Sequence, residues 1–151
     1  MTDRELDILI AKEVMGLNVL GEVAVMYYPG DRHIASIDEA DDYYDSEIDI
    51  AYLKKCSCDD GSEKDVFGHY GDGCLDIVKR YSTSLAAFEV VNKLTSDAYV
   101  RVNLNGRGDL WYADIFKLGI ANKENVGFNE APAPLPMAIC LAALMVVGYT
   151  E

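Results

Sequence analysis

The sequence predicts an α+β fold, a layered domain with about three helices and a mostly antiparallel sheet. Three observations favour this class. The chain of 151 residues is 50% apolar, helical spacing of apolar residues occurs near both termini, and alternating apolar and polar residues flank a Gly-rich turn in between. This length suits one domain with its own core. We therefore expect a single domain over residues 1–151.

Helices are predicted from apolar periodicity and from their start and stop signals. Thr2 with Glu5 forms a capping-box pattern at the start of the first helix. Ser82 or Thr83 is the expected N-cap of the second. The third follows a Pro-rich segment and is apolar almost all round, so we expect it to be the most buried helix. The predicted bounds are residues 3–15, 82–94 and 137–147.

Strands are predicted where β-branched and aromatic residues precede turn residues. Residues 19–28 end at Pro29 and form the first strand, and residues 48–53 form a second, peripheral strand. Residues 99–104 and 110–116 flank the turn residues 105–108, which predicts a hairpin. Residues 38–49 and 56–73 are predicted loops, because their carboxylates and glycines do not suit a packed element.

Charge and motifs exclude several classes of function. The formal net charge of -13 argues against a nucleic-acid partner or an anionic membrane. The longest apolar stretch, 135–148, is shorter than the roughly 20 residues of a membrane span. The N-terminus has no signal-peptide pattern, which favours the cytoplasm. No nucleotide-loop, dinucleotide or zinc-protease motif occurs, and His33 and His69 fall in predicted loops. We expect a non-enzyme without cofactors.

Four segments, taken in order, resemble the phage ABA sandwich domain, a family of small phage and prophage proteins. They are residues 5–16, 81–94, the Trp-Tyr-Ala of 111–113, and 133–144. The resemblance implies an α-β-α layered domain encoded by a phage, and it supplies no catalytic motif. The segment 31–73 is longer and more acidic than in that family, so we expect a loop insertion there.

Small phage proteins often counter host defence, so the resemblance favours a protein that sequesters a small anionic ligand, such as a nucleotide immune signal, in the host cytoplasm. Residues 76–151 hold 8 acidic and 7 basic residues, and an anion site belongs in this near-neutral half. A helix start offers N–H groups to phosphate, Arg101 points away from its apolar neighbours, and an aromatic ring can stack on a base. The alternative is that Ser82 or Thr83 only caps the helix. The candidate ligand residues are Lys79, Arg80, Tyr81, Ser82, Thr83, Arg101 and Trp111.

Trp111 and Tyr112 alternate along a strand, so one ring faces inward and the other is available for stacking. Arg107, at the hairpin tip, is assigned only a solubilising role.

A second hypothesis is a protein–protein inhibitor that uses the acidic loop 38–49. This loop would occupy a basic surface of a host defence protein, as a mimic of DNA phosphates, or it would simply be solvated. The candidate partner-binding residues are Asp41, Asp42, Tyr43, Tyr44 and Asp45. A homodimer is a further expectation.

Three cysteines and a histidine could together close a tetrahedral zinc site, namely Cys56, Cys58, His69 and Cys74. The C-x-C pair is less usual than C-x-x-C, so we predict no metal. Cys140 lies on the apolar last helix and is interpreted as a core thiol.

Overall fold

The structure, a computed structural model, describes residues 1–28, 31–39, 46–54, 74–97, 100–119 and 122–149. The predicted α+β class is confirmed, since this part of the chain holds three α-helices and two antiparallel sheets. No described helix is long and apolar enough to cross a membrane. In chain order the elements are α1 (Asp3–Leu9), a π-helical turn (Ile10–Val14), β1 (Asn18–Tyr28), β2 (Asp31–Ala35), a 3-10 turn (Ile37–Glu39), β3 (Ser46–Leu53), β4 (Leu75–Ile77), α2 (Ala87–Asp97), β5 (Val100–Arg107), β6 (Leu110–Leu118), β7 (Lys123–Phe128) and α3 (Leu135–Val146).

The chain divides into two compact units. The first combines Met1–Gly16 with Lys79–Glu151, and the second is Leu17–Val78. The first unit is therefore built from two chain segments, and the second unit is inserted between them in the sequence. The expectation of one domain over residues 1–151 stays a prediction.

The helix predicted at the N-terminus is confirmed. Thr2 and Glu5 form both hydrogen bonds of a capping box. The π-helical turn that continues α1 ends at Val14, and the chain then turns at Gly16, whose φ of +67° lies in the left-handed region that favours glycine. α3 is confirmed as well and starts after Pro134, with half of its 12 residues buried in the core.

The predicted start of the second helix is wrong. α2 begins at Ala87, and residues 81–86 form turns instead. The Ser82 hydroxyl donates to the Asp3 carbonyl oxygen at 3.2 Å, and the Ser82 N–H donates to Asp7 Oδ1 at 2.7 Å. The Ser82 hydroxyl and the Ser82 N–H are thus both bound to α1, and the helix starts about one turn later than predicted.

The sheet of the first unit has the strand order β5-β6-β7, all antiparallel. The predicted hairpin is confirmed as β5 and β6. α3 packs across β6 and β7, and α2 packs beside α3 and against β5. Gly127 permits this close approach, because a Cβ there would overlap the Ala142 carbonyl oxygen. Helices and sheet thus lie in layers, which agrees with the predicted sandwich.

Asp7 joins the two chain segments of the first unit. Its carboxylate is fully buried and accepts the Ser82 N–H, 75 positions along the chain. Arg4 lies 3.6 Å from the other carboxylate oxygen and donates to the Lys79 carbonyl oxygen at 3.3 Å. A buried charge is tolerated only with partners of this kind. These contacts hold α1 against residues 79–82.

The sheet of the second unit has the order β2-β1-β3-β4. Two predictions are wrong here. The strand predicted over 48–53 is β3, which is flanked on both sides and is not peripheral. Residues 31–35, predicted as part of a loop insertion, pair with β1, so His33 lies in a strand. β1 carries apolar residues toward both faces. Pairing with β2 on one edge and β3 on the other provides hydrogen-bond partners for its backbone N–H and C=O groups.

This second sheet is strongly curved. Arg32 on the edge strand β2 reaches Asp76 on the opposite edge strand β4, with 2.9 Å between Nη2 and Oδ1. A flat sheet of four strands would keep two edge strands about 14 Å apart. Val23, Val25 and Ala51 form the core of this unit.

Replacing Asp7 by Ala is expected to lower the free energy of unfolding by about 3 kcal/mol, because the buried Ser82 N–H loses its acceptor and Arg4 loses its ion-pair partner. Urea unfolding followed by circular dichroism measures this. Asp3→Ala is the matched control, since Asp3 is an exposed carboxylate on the same helix, with an expected cost below about 1 kcal/mol. Equal costs for the two variants would contradict the role of Asp7.

The Cys140 thiol gives a prediction about alkaline pH. Burial, and secondarily the charge of Asp7, raises the pKa of Cys140 well above its usual value of 9.0. The neutral thiol is thus favoured in the folded state, and its contribution to stability is full below about pH 9 and falls as the unfolded thiol ionises above that pH. Urea midpoints across this range should fall more steeply for the wild type than for Cys140→Ala. Parallel curves would contradict the prediction.

Candidate ligand-binding site

Tyr81 and Ser82 do not offer the phosphate contacts expected of a helix start. Their exposed fractions are 2% and 1%, and the Ser82 N–H already donates to Asp7. Thr83 and Arg80 are exposed, and the Lys79 ammonium pairs with Glu89 at 2.6 Å. The argument from free N–H groups therefore fails at these residues.

The two other predicted ligand residues lie on opposite faces of the sheet β5-β6-β7. Arg101 is directly opposite Phe116, whereas Trp111 is directly opposite Gly106. Directly opposite residues share a face and neighbours along a strand alternate, so these two pairs face different ways. Arg101 and Trp111 cannot contact the same side of one ligand.

Trp111 belongs to the inner face. Its ring covers Gly106, where any side chain would overlap the indole. Its backbone pairs with Ala133 in both directions, at 2.8 and 3.1 Å. Asn129 reinforces this contact, since its amide donates to the carbonyl oxygens of Trp111 and Ala131 and accepts the Ala113 N–H. These bonds fix residues 129–133 beside the hairpin.

The face of this sheet that lies opposite to Trp111 combines aromatic, amide and cationic side chains, and we call it the outer face. Tyr112 is 44% exposed on it, so this ring is the one available for stacking that alternation predicts. The register places the following residues there: Arg101, Asn103, Asn105 and Arg107 of β5, Leu110, Tyr112, Asp114, Phe116 and Leu118 of β6, and Lys123, Asn125 and Phe128 of β7.

A pocket of about 400 Å³ opens at the hairpin end of the outer face. Tyr112 and Asn105 are directly opposite each other at its base, and Arg107 lies two pairs further along, next on the same face. Pro132 stands at the side, held there by the Trp111 and Asn129 hydrogen bonds. We call this the hairpin pocket, and its lining is Asn105, Gly106, Arg107, Leu110, Tyr112 and Pro132.

At the other end of the outer face two cations flank one ring. The Lys123 ammonium lies over the Phe116 ring, 4.2 Å from its centroid, which is a cation–π contact. Arg101 is directly opposite Phe116 on β5. The carboxylate of the face, Asp114, lies between the two ends and accepts the Asn125 amide at 3.3 Å.

A larger groove, of about 650 Å³, adjoins the hairpin pocket, with which it shares Pro132, and Phe128 also contributes to its lining. It runs between residues 128–133 and one side of α3, and three methionines contribute to its lining. The charged side chain among its lining residues is the carboxylate of Glu130, which repels an anion. The groove suits apolar groups, and it does not suit the ligand that the sequence predicts.

Several predicted residues lie outside the described part of the chain. These are the acidic residues at 41, 42 and 45, the tyrosines at 43 and 44, and three of the four candidate zinc residues. Cys74 and Cys140 are both buried. Within the described ranges no group of three His, Cys, Asp or Glu residues could hold a metal.

The candidate ligand residues from the sequence do not include Asn105 and Arg107, and of the two alternating rings they include Trp111 and not Tyr112. Strand alternation assigns one of Trp111 and Tyr112 to each face, but it does not say which face is buried. Gly106 opposite Trp111 is the signal that decides it, because a ring packs onto a strand position without a side chain.

Comparisons of the chain with models of protein families, with curated proteins and with solved structures found no match. The resemblance to the phage ABA sandwich domain therefore stays a prediction.

Proposed function

We propose that the protein is a non-catalytic binding protein that holds a small, planar, anionic ligand of the nucleotide type in the hairpin pocket. The observation that supports this most is the composition of the outer face. In a chain of net charge -13, this face carries Arg101, Arg107 and Lys123 against the single carboxylate of Asp114.

Local charge decides the binding of an anion at this surface. At physiological ionic strength the screening length is about 8 Å, so distant carboxylates act weakly on a ligand in the pocket. Arg107 lines the pocket itself, and a guanidinium group matches the geometry of phosphate oxygens. The acidic composition is thus compatible with a small anion here, while a long polyanion would still be repelled.

The rest of the pocket suits a nucleobase. The exposed Tyr112 ring provides a stacking surface, and a base stacked on an aromatic ring gains about 1–3 kcal/mol. Asn105, directly opposite Tyr112, has an amide that both donates and accepts hydrogen bonds at a base edge. Leu110 and Pro132 complete apolar walls, and about 400 Å³ lies within the usual range of ligand pockets.

Sequestration requires only such a site. A protein that binds a signal tightly lowers its free concentration by mass action, without any reacting group. The resemblance to phage domains supports a host immune nucleotide as the ligand and a role against host defence.

Tyr112→Leu is expected to weaken the binding of AMP by about 10- to 100-fold, because the stacking surface is lost. Arg107→Gln should weaken it as well and should reduce its dependence on salt, since a phosphate contact is removed. Isothermal titration calorimetry of the full chain with AMP measures both effects.

Tyr27→Leu is the matched control, as Tyr27 is an exposed strand tyrosine of the second unit, 50% accessible. It should leave AMP binding unchanged. The proposal is wrong if the full chain binds no AMP, or if Tyr112→Leu binds AMP as tightly as Tyr27→Leu does.

A further inference from the structure

The outer face continues beyond the hairpin pocket to its second cationic end. Tyr112 and Phe116 are four residues apart on one face of β6, which separates them by about 13 Å along the strand. This separation is longer than the distance between the base and the phosphate of one nucleotide. A mononucleotide in the hairpin pocket therefore leaves the far end unused.

The far end has the features of a phosphate subsite. Lys123 is held over the Phe116 ring at 4.2 Å, so its ammonium is positioned before any ligand arrives. Arg101 is exposed and lies directly opposite the same ring. Two cations that flank one position attract a phosphate more than either does alone.

Between the two ends the face carries a ring and a carboxylate. Phe128, 42% exposed, is directly opposite Asp114. The ring suits a second base. The carboxylate repels phosphate and accepts hydrogen bonds, so it suits the hydroxyl groups of ribose, as acidic residues do in dinucleotide-binding proteins.

We infer that the outer face binds a ribodinucleotide. One base stacks on Tyr112, the second base lies against Phe128, and a phosphate of the ligand is held by Arg101 and Lys123. This inference rests on the proposed function, because it extends the same site from one nucleotide to two. The register of β5, β6 and β7 supports this inference, because it places these residues on one face of the sheet.

The test compares AMP with 5′-phosphorylated diadenylate in calorimetric titrations of the full chain. Diadenylate should bind roughly tenfold tighter or better, because it adds a charge-assisted contact and a stacked base. Lys123→Gln with Arg101→Gln should remove most of this advantage, so that diadenylate then binds about as tightly as AMP does. Lys117→Gln is the matched control, since Lys117 neighbours Phe116 on β6 but faces the other side of the sheet, and it should change neither affinity.

The outcomes separate the two proposals. If AMP binds and diadenylate binds no tighter, the dinucleotide inference is overturned and the hairpin pocket stands. If diadenylate binds tighter but the double variant keeps the advantage, the far end is not the phosphate subsite and the inference is again overturned. If neither ligand binds, both proposals fail.

The sugar provides a separate readout. The deoxyribose form of the same dinucleotide should bind several-fold more weakly, because it lacks the 2′-hydroxyl that would donate to Asp114. Equal affinity of the two forms would overturn ribose recognition by this face.

Discussion

The buried carboxylate of Asp7 is the constraint on which the first unit depends. The two segments of this unit lie on either side of the inserted second unit in the sequence. Asp7 and Ser82 connect them across 75 positions at 2.7 Å. α1 is thereby placed where its π-helical turn packs on α3 and α2, and α3 in turn supports β6 and β7. The outer face owes its rigidity to that inner layer, because its other side is the packed core.

Local signals in the sequence predicted the elements whose partners are close along the chain. The capping box of Thr2 and Glu5, the hairpin and the Pro-marked start of α3 are all formed by neighbouring residues. The predicted start of α2 was wrong because a serine can cap a helix or bind a distant segment, and at Ser82 the hydrogen bonds to α1 replace the capping contact. β2 and β4 also escaped prediction, since short strands in an acidic, polar context are stabilised by pairing with β1 and β3 rather than by their own pattern.

The site could be predicted only in part, for a related reason. Arg101 was assigned to an outward position from its apolar neighbours, and the register agrees. Alternation along the strand places Trp111 and Tyr112 on opposite faces, and it does not say which of the two rings faces the ligand. The pairing of Trp111 with Gly106, together with its bonds to Ala133, turns the larger ring into a packing group. The backbone hydrogen bonds between Trp111 and Ala133 also fix the wall that includes Pro132. The same residue thus shapes the pocket from the inner face.

The most direct test of this account is to map the ligand on the folded protein. Backbone amide shifts of the isotopically labelled chain, recorded by nuclear magnetic resonance during titration with AMP, report which residues the ligand approaches. The account predicts the largest saturable changes at Asn105, Arg107 and Tyr112, with little change in residues 79–83. Changes confined to the methionine-lined groove along α3, or no saturable change anywhere, would contradict it.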